Sequence, residues 1–276
     1  GEQEFERLAA FGAMLLSFDD PCYPRLLKEL TDPPPLLYLL GNPAQLAQTM
    51  VAMVGSRAAT SYGRRIAYEL AKGLSEQSLT VVSGLALGID AESHRGALTA
   101  AGGTVGVLGC GLDVVYPRQN RDLYQQLVER CALITEYPLG TTPDGFRFPA
   151  RNRIIAGISQ GIVVVEAARR SGSLITAQIG LDYGREVFAV PGQVDSCKSE
   201  GAHWLLQQGA KLVQRVEDIV VELSGRYRVD VLNGREQENH SDLDPDAVAL
   251  LEIIEPYPQM REKLIAASGF SPARVS

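Results

Sequence analysis

Cysteine and histidine are scarce in this sequence. Its 276 residues include 4 cysteines and 3 histidines. Cys22, Cys110, Cys131 and Cys197 form no C-x-x-C pair, and no H-E-x-x-H occurs. These absences argue against a disulfide framework and a zinc site, so no metal is expected. No apolar run approaches the roughly 18–20 residues that a membrane span needs. G-x-x-x-x-G-K-[ST] and G-x-G-x-x-G are also missing, and no nucleotide cofactor is expected. The opening Gly1–Glu6 is acidic, unlike a secretory leader, and no Met stands first, which reads as a piece of a longer chain. The expectation is a reducing, cytoplasmic protein without a membrane partner.

What is present is arginine and glycine, unevenly placed. The net charge is −7. Residues 1–50 carry 3 basic and 7 acidic groups, residues 51–215 carry 17 and 14, and residues 216–276 carry 6 and 12. A mildly basic centre therefore sits between acidic flanks. Of 26 basic residues 21 are Arg, and 14 of these lie in the centre, where 21 of the 27 glycines also lie. Arginine forks onto phosphate and stacks on flat rings, so the overall acidity conceals a candidate anion site.

The central segment alternates short Val/Ile-rich runs with amphipathic ones. The runs Met50–Val54, Thr80–Val82, Thr104–Leu108, Leu133–Thr135, Ile162–Val165, Val187–Val190 and Lys211–Val213 read as strands buried on both faces. Helices are predicted at Tyr62–Glu76, Ile89–Ala101, Arg121–Arg130, Ile154–Ser159, Leu174–Tyr183 and Ala202–Gln208. This alternation predicts an α/β fold with a doubly wound, mainly parallel sheet. Residues 1–49 read as an N-terminal extension with a short helix at Leu26–Leu30 and an extra strand at Leu36–Leu40. Residues 50–223 form the main domain, 224–244 a polar linker, and 245–276 the opening of a helix-turn-helix segment.

Several predicted strands run straight into glycine. Val54 is followed by Gly55, Ser56 and Arg57, and Val82 by Ser83 and Gly84. Ligands of open α/β sheets bind at the carboxyl ends of strands, where glycine lets the backbone come close. Two further segments carry chemistry. Phe146, Arg147, Phe148, Arg151, Asn152 and Arg153 fall within eight residues, on a predicted loop entering a helix. Interleaved Arg and aromatic residues suit single-stranded nucleic acid, with Arg on phosphate and Phe stacked on a base. Ser171, Gly172 and Ser173 stand at a predicted helix N-terminus, an anion-friendly position. The match Gly157-Ile158-Ser159-Gln160-Gly161 to G-x-S-x-G has its helix before and its strand after the serine, the reverse of a nucleophile elbow. No catalytic residue is expected.

In order along residues 15–223, the chain resembles the DNA-processing protein A (DprA/Smf) family. The matching pieces are Gly55-Ser56-Arg57, Ser83 to Asp90, Gly109 to Asp113 with Tyr116-Pro117, Asn120, Glu136, Phe148 to Gly157, Glu166 with Ser171 to Leu174, Gly184-Arg185, and Phe188 to Gly192. The resemblance implies an extended Rossmann-like domain that binds single-stranded DNA without an enzymatic step. It implies protection of incoming strands in natural transformation, help in loading a RecA-type recombinase, and a homodimer. It places the DNA-contacting arginine at Arg57, and the Phe/Arg-rich loop at Phe146–Arg153. It also implies a C-terminal winged helix, of which 245–276 would be only the opening. Asp90, Glu136 and Glu166 are expected as supporting acids, the two glutamates holding Arg57 or Arg153. A second resemblance, to nucleotide phosphoribohydrolases of the lysine decarboxylase-like family, is weaker. The stretch Glu166 to Ser173 lacks the Pro-Gly-Gly of their motif.

Overall fold

The computed structural model describes residues 2–231, together with Ile265 and Phe270. The predicted helix-turn-helix opening and most of the predicted linker lie outside the described residues. Of two compact units, Gly1–Gly225 and Arg226–Ser276, the first carries the sheet.

That unit opens with α1 (Glu2–Phe11), β1 (Met14–Ser17), α2 (Arg25–Lys28) and β2 (Leu36–Gly41). The main domain follows as β3 (Met50–Val54), α3 (Ser61–Glu76), β4 (Thr80–Ser83), α4 (Ile89–Ala97), β5 (Thr104–Val107), α5 (Arg121–Arg130) and β6 (Ala132–Thr135). It continues with α6 (Arg147–Ile158), β7 (Gly161–Val164), α7 (Gly172–Asp182), β8 (Glu186–Ala189), α8 (Glu200–Gln207), β9 (Lys211–Leu212) and α9 (Val216–Val231). Helical backbone thus runs past residue 224, into the segment read as linker.

One sheet holds all nine strands in the order β1-β2-β6-β5-β4-β3-β7-β8-β9. β6 through β9 are parallel, while β2 pairs antiparallel with both β1 and β6. The chain winds outward in one direction from β3 to β6, then returns to the centre and winds the other way from β7 to β9. The switch point is the β3–β7 boundary, where Ala52 lies opposite Ile162. The expected doubly wound Rossmann-like sheet is therefore the fold.

The period of two decides which helices cover which face. Met50, Ala52 and Val54 pack with Ile154, Ile155 and Ile158 of α6, Ala177 of α7 and Leu205 of α8. Val51 and Met53 point the other way, against Leu70 and Leu74 of α3, Ile89 of α4 and Ile219 of α9. Each fully buried side chain of this size, such as Met53 or Phe188, contributes roughly 1.5–3 kcal/mol relative to exposure.

α1, β1 and α9 form where the sequence predicts no element, and α6 starts earlier than predicted. The strand β1 lies in a stretch with no predicted element. It is four residues long and only Leu16 is buried, so its periodic signal is short. The Phe/Arg-rich stretch is not a loop: α6 begins at Arg147, where the predicted helix begins only at Ile154. Pro149 is the third residue of that helix, where its missing N–H would have had no intrahelical acceptor. Proline at that place opens a helix instead of barring it.

Candidate functional site

A crevice of about 570 Å³ opens at the switch point. Its walls come from the end of β3 (Val54, Gly55, Arg57), the β4–α4 loop and α4 (Ala86, Asp90), α6 (Phe148, Arg151, Asn152) and α7 (Ser173, Thr176). A smaller apolar slot of about 100 Å³ adjoins it, lined by Leu87, Leu108, Cys110 and Pro117 and sharing Arg57, Tyr116, Phe148 and Arg151.

Arg57 is the exposed cation of the crevice. It makes no ion pair among the described residues. Its guanidinium lies over the Phe148 ring, 5.3 Å from the centroid, and Phe148 in turn stacks on Tyr116 at 5.6 Å and 23°. A guanidinium held by a ring face keeps its five donors available to an anion. Sequence reading had Tyr116 only as part of a motif. Its place beside Phe148 depends on packing between β5–α5 and α6 and is invisible to spacing.

Arg151 behaves differently. It is 4% exposed, and its Nη1 donates to the carbonyls of Gly84 (2.8 Å) and Val107. Its role is to tie α6 to the ends of β4 and β5. Gly84 is required there, because a Cβ would come within 2.4 Å of the guanidinium. Burial pushes Arg151 down to about 10, Asp90 opposes this, and the like charge of Arg57 reinforces it. It stays protonated at neutral pH. Asp90 is also buried, and burial raises its pKa against the pull of Arg151 and the backbone N–H groups of Ala86 and Gly84. Two guanidinium groups thus share the floor with one carboxyl held above its ordinary range. That leaves a positive site.

The β4–α4 loop is firmly held. Leu85 is a buried non-glycine residue at φ 55°, and Asn120 Nδ2 donates to the carbonyls of Leu85 (2.9 Å) and Ala86 (3.2 Å). Ser83, expected at the site, is fully buried, and its hydroxyl donates to the Met53 carbonyl at 2.6 Å. It holds β4 to β3 and has no donor left for a ligand.

Several other expectations separate in the same way. Arg153 points away from the crevice: Nη2 meets Glu136 Oε2 at 2.6 Å and Nη1 donates to the Asp32 carbonyl at 2.8 Å. Glu136 holds Arg153, as one alternative had it. Glu166 holds neither arginine. Its carboxylate accepts the N–H (2.9 Å) and hydroxyl (2.5 Å) of Thr60, the residue capping α3. Phe146 is exposed, and Arg147 lies between the rings of Phe146 (5.1 Å) and Tyr137 (5.4 Å), with a bond to the Thr142 carbonyl. Asn152 lines the crevice and accepts Arg151 Nε at 3.2 Å. Ser171 caps α7, its hydroxyl 2.7 Å from that of Ser173, and Gly172 faces open space. The G-x-S-x-G serine, Ser159, is buried and bonded to the Ile155 carbonyl at 2.8 Å.

Residues 14–224 match the family described as DNA recombination-mediator protein A. The chain belongs to this family. It is 44% identical over 220 residues to the DNA processing protein DprA of Streptococcus pneumoniae, covering 80% of this chain and 76% of that protein. It is 45% identical over 210 residues to Protein Smf of Escherichia coli K12, covering 76% of this chain and 56% of that protein. The chain thus spans little more than half the length of some of its relatives. Among solved structures, it resembles DprA from S. pneumoniae with a TM-score of 0.75 at 43% identity, covering 79% of this chain and 77% of that one. It also resembles DprA from Helicobacter pylori with a TM-score of 0.70 at 28% identity, over 78% of this chain and 96% of that one. That second structure was described for its mode of binding single-stranded DNA. Among the described residues, no helix of this chain is long and apolar enough to cross a membrane.

Proposed function

We propose that this chain binds single-stranded DNA in the switch-point crevice, as a cytoplasmic homodimer, without catalysing a reaction. In this reading Arg57 and the first turn of α7 (Ser171, Gly172, Ser173) take phosphate, and the Phe148–Tyr116 stack meets a base. The supporting observation is Arg57 itself. It is an exposed guanidinium with no carboxylate partner among the described residues, laid on an aromatic face at the end of β3. Membership of the family supports the wider role: protection of incoming strands in natural transformation and the loading of a RecA-type recombinase. The solved H. pylori relative supports the ligand class.

The test is filter binding of single-stranded and duplex DNA at two salt concentrations. Stacking requires bases free of their duplex partners, so the expected preference for single strands is at least tenfold, about 1.4 kcal/mol. Arg57→Ala should weaken binding by roughly 1–3 kcal/mol and flatten the log–log salt slope by about 0.7, one phosphate. Arg57→Lys should restore only part, because the fork is lost. Equal affinity for both DNA forms, or wild-type binding by folded Arg57→Ala, would reject the reading.

A further inference from the structure

Two long helices point their N-termini at the switch point, and they are treated differently. The first is α3, 16 residues long, with no acidic residue in its own first turn. The missing anion comes from across the β3–β7 boundary. Glu166, 5% exposed, places its carboxylate on the N–H (2.9 Å) and hydroxyl (2.5 Å) of Thr60, whose hydroxyl also accepts the Gly63 N–H at 3.0 Å. The Glu166 carbonyl accepts the Ser56 N–H at 2.7 Å, fixing the glutamate to the same turn. The sequence makes room for this carboxylate: a Cβ at residue 63 would lie 2.5 Å from its Cδ. Glycine early in a helix lowers helix stability, and here it admits the acid. The second helix, α7, has no acid in its first turn either, and among the described residues no carboxylate bonds to that turn. Its cap is two hydroxyls and an open glycine on the crevice wall.

We propose that Glu166 is a resident anion that fills the α3 terminus and so determines where a ligand's phosphate can sit. In a doubly wound sheet, the first βα turn is the natural seat of a pyrophosphate. Here a buried carboxylate occupies that seat, repels a second anion, and leaves α7 and Arg57 for phosphate. Glu166 is thus a specificity-determining residue: it excludes diphosphate-bearing ligands and confines the crevice to phosphates that arrive one at a time, as along a nucleic-acid strand. This inference rests on the reading of the crevice as a phosphate site.

The experiment is calorimetric titration of the whole chain with inorganic pyrophosphate, comparing wild type, Glu166→Ala and Glu166→Gln. Folding is checked by thermal denaturation. Glu166→Ala opens the seat and should bind pyrophosphate at least tenfold more tightly than wild type. Glu166→Gln keeps the shape against Gly63 and an acceptor for the Thr60 N–H but loses the charge; it should gain at least threefold. A role confined to holding the loop would leave pyrophosphate affinity unchanged or lower. If Glu166→Gln is folded and binds pyrophosphate no better than wild type, the inference fails, even where Glu166→Ala does not fold. Single-strand binding by wild type, measured alongside, judges the crevice reading independently. Its loss would remove that reading and leave the pyrophosphate comparison to decide the role of Glu166.

Discussion

His94 lies on α4, beneath the crevice, with Nδ1 2.7 Å from the Thr104 hydroxyl. That hydroxyl donates to the Val81 carbonyl, so Nδ1 is assigned the proton, and the buried Nε2 has no hydrogen-bond partner among the described residues. Burial, with Arg151 and Arg95 nearby, pushes His94 down to about 3. Between that value and its ordinary 6.5, the unfolded chain binds a proton that the native state refuses, so stability falls as pH drops through this window. Asp90 acts with the opposite sign: burial raises its pKa, the native carboxyl holds its proton longer than the unfolded one, and acidification stabilises it there. Each group can contribute a slope of up to about 1.4 kcal/mol per pH unit. Urea denaturation between about pH 7 and pH 4 should show a shallower acid limb in His94→Gln and a steeper one in Asp90→Asn than in wild type. At this scale the sequence was only partly legible. Arg57 stood out because it ends a strand after glycine. Arg151 and Arg153 carried the same signal, but spacing does not reveal that carbonyls and a carboxylate already engage them.

The helix α6 delivers both kinds of arginine. Phe148, Arg151, Asn152 and Ile155 face the crevice, while Arg153 turns to Glu136 and the Asp32 carbonyl. The pair is only 22% and 17% exposed, so solvent screens it less than a surface bridge. Arg153→Ala should lower thermal stability measurably, since it leaves a half-buried carboxylate and a carbonyl without their donor. Its effect on single-strand affinity should be smaller than that of Arg57→Ala; an equal or larger effect would place Arg153 in the interface after all. Most strands and helices of the main domain were readable, because continuous Val/Ile runs alternate with amphipathic ones. The start of α6 was not, because proline two residues into the helix reads as a break. β1 was missed because four half-exposed residues carry too little pattern.

The far edge of the sheet presents Trp204 of α8, Leu212 of β9 and Val221 of α9 to solvent. These side chains, on three consecutive elements, are where the proposed homodimer would join. Light scattering should then give about twice the chain mass at micromolar concentration. An oligonucleotide long enough to reach both crevices should bind on the order of a hundredfold more tightly than one that reaches a single crevice, with an abrupt threshold in length. A monomer with smoothly rising affinity would remove the interface and the bridging together. Spacing cannot divide core from surface over elements this short, so these exposed side chains are not legible in the sequence.

The crevice is assembled from segments as distant as Val54 and Thr176, carried by five separate strand–helix units. No fragment of the chain owns it. A ligand seated there recognises only the fully docked fold and ignores every partly unfolded form. By mass action, a ligand at a hundredfold excess over its dissociation constant adds about 2.7 kcal/mol to the stability of the native state. Occupied copies are therefore expected to resist proteolysis longer than empty ones, which limited proteolysis with and without a single-stranded oligonucleotide would measure.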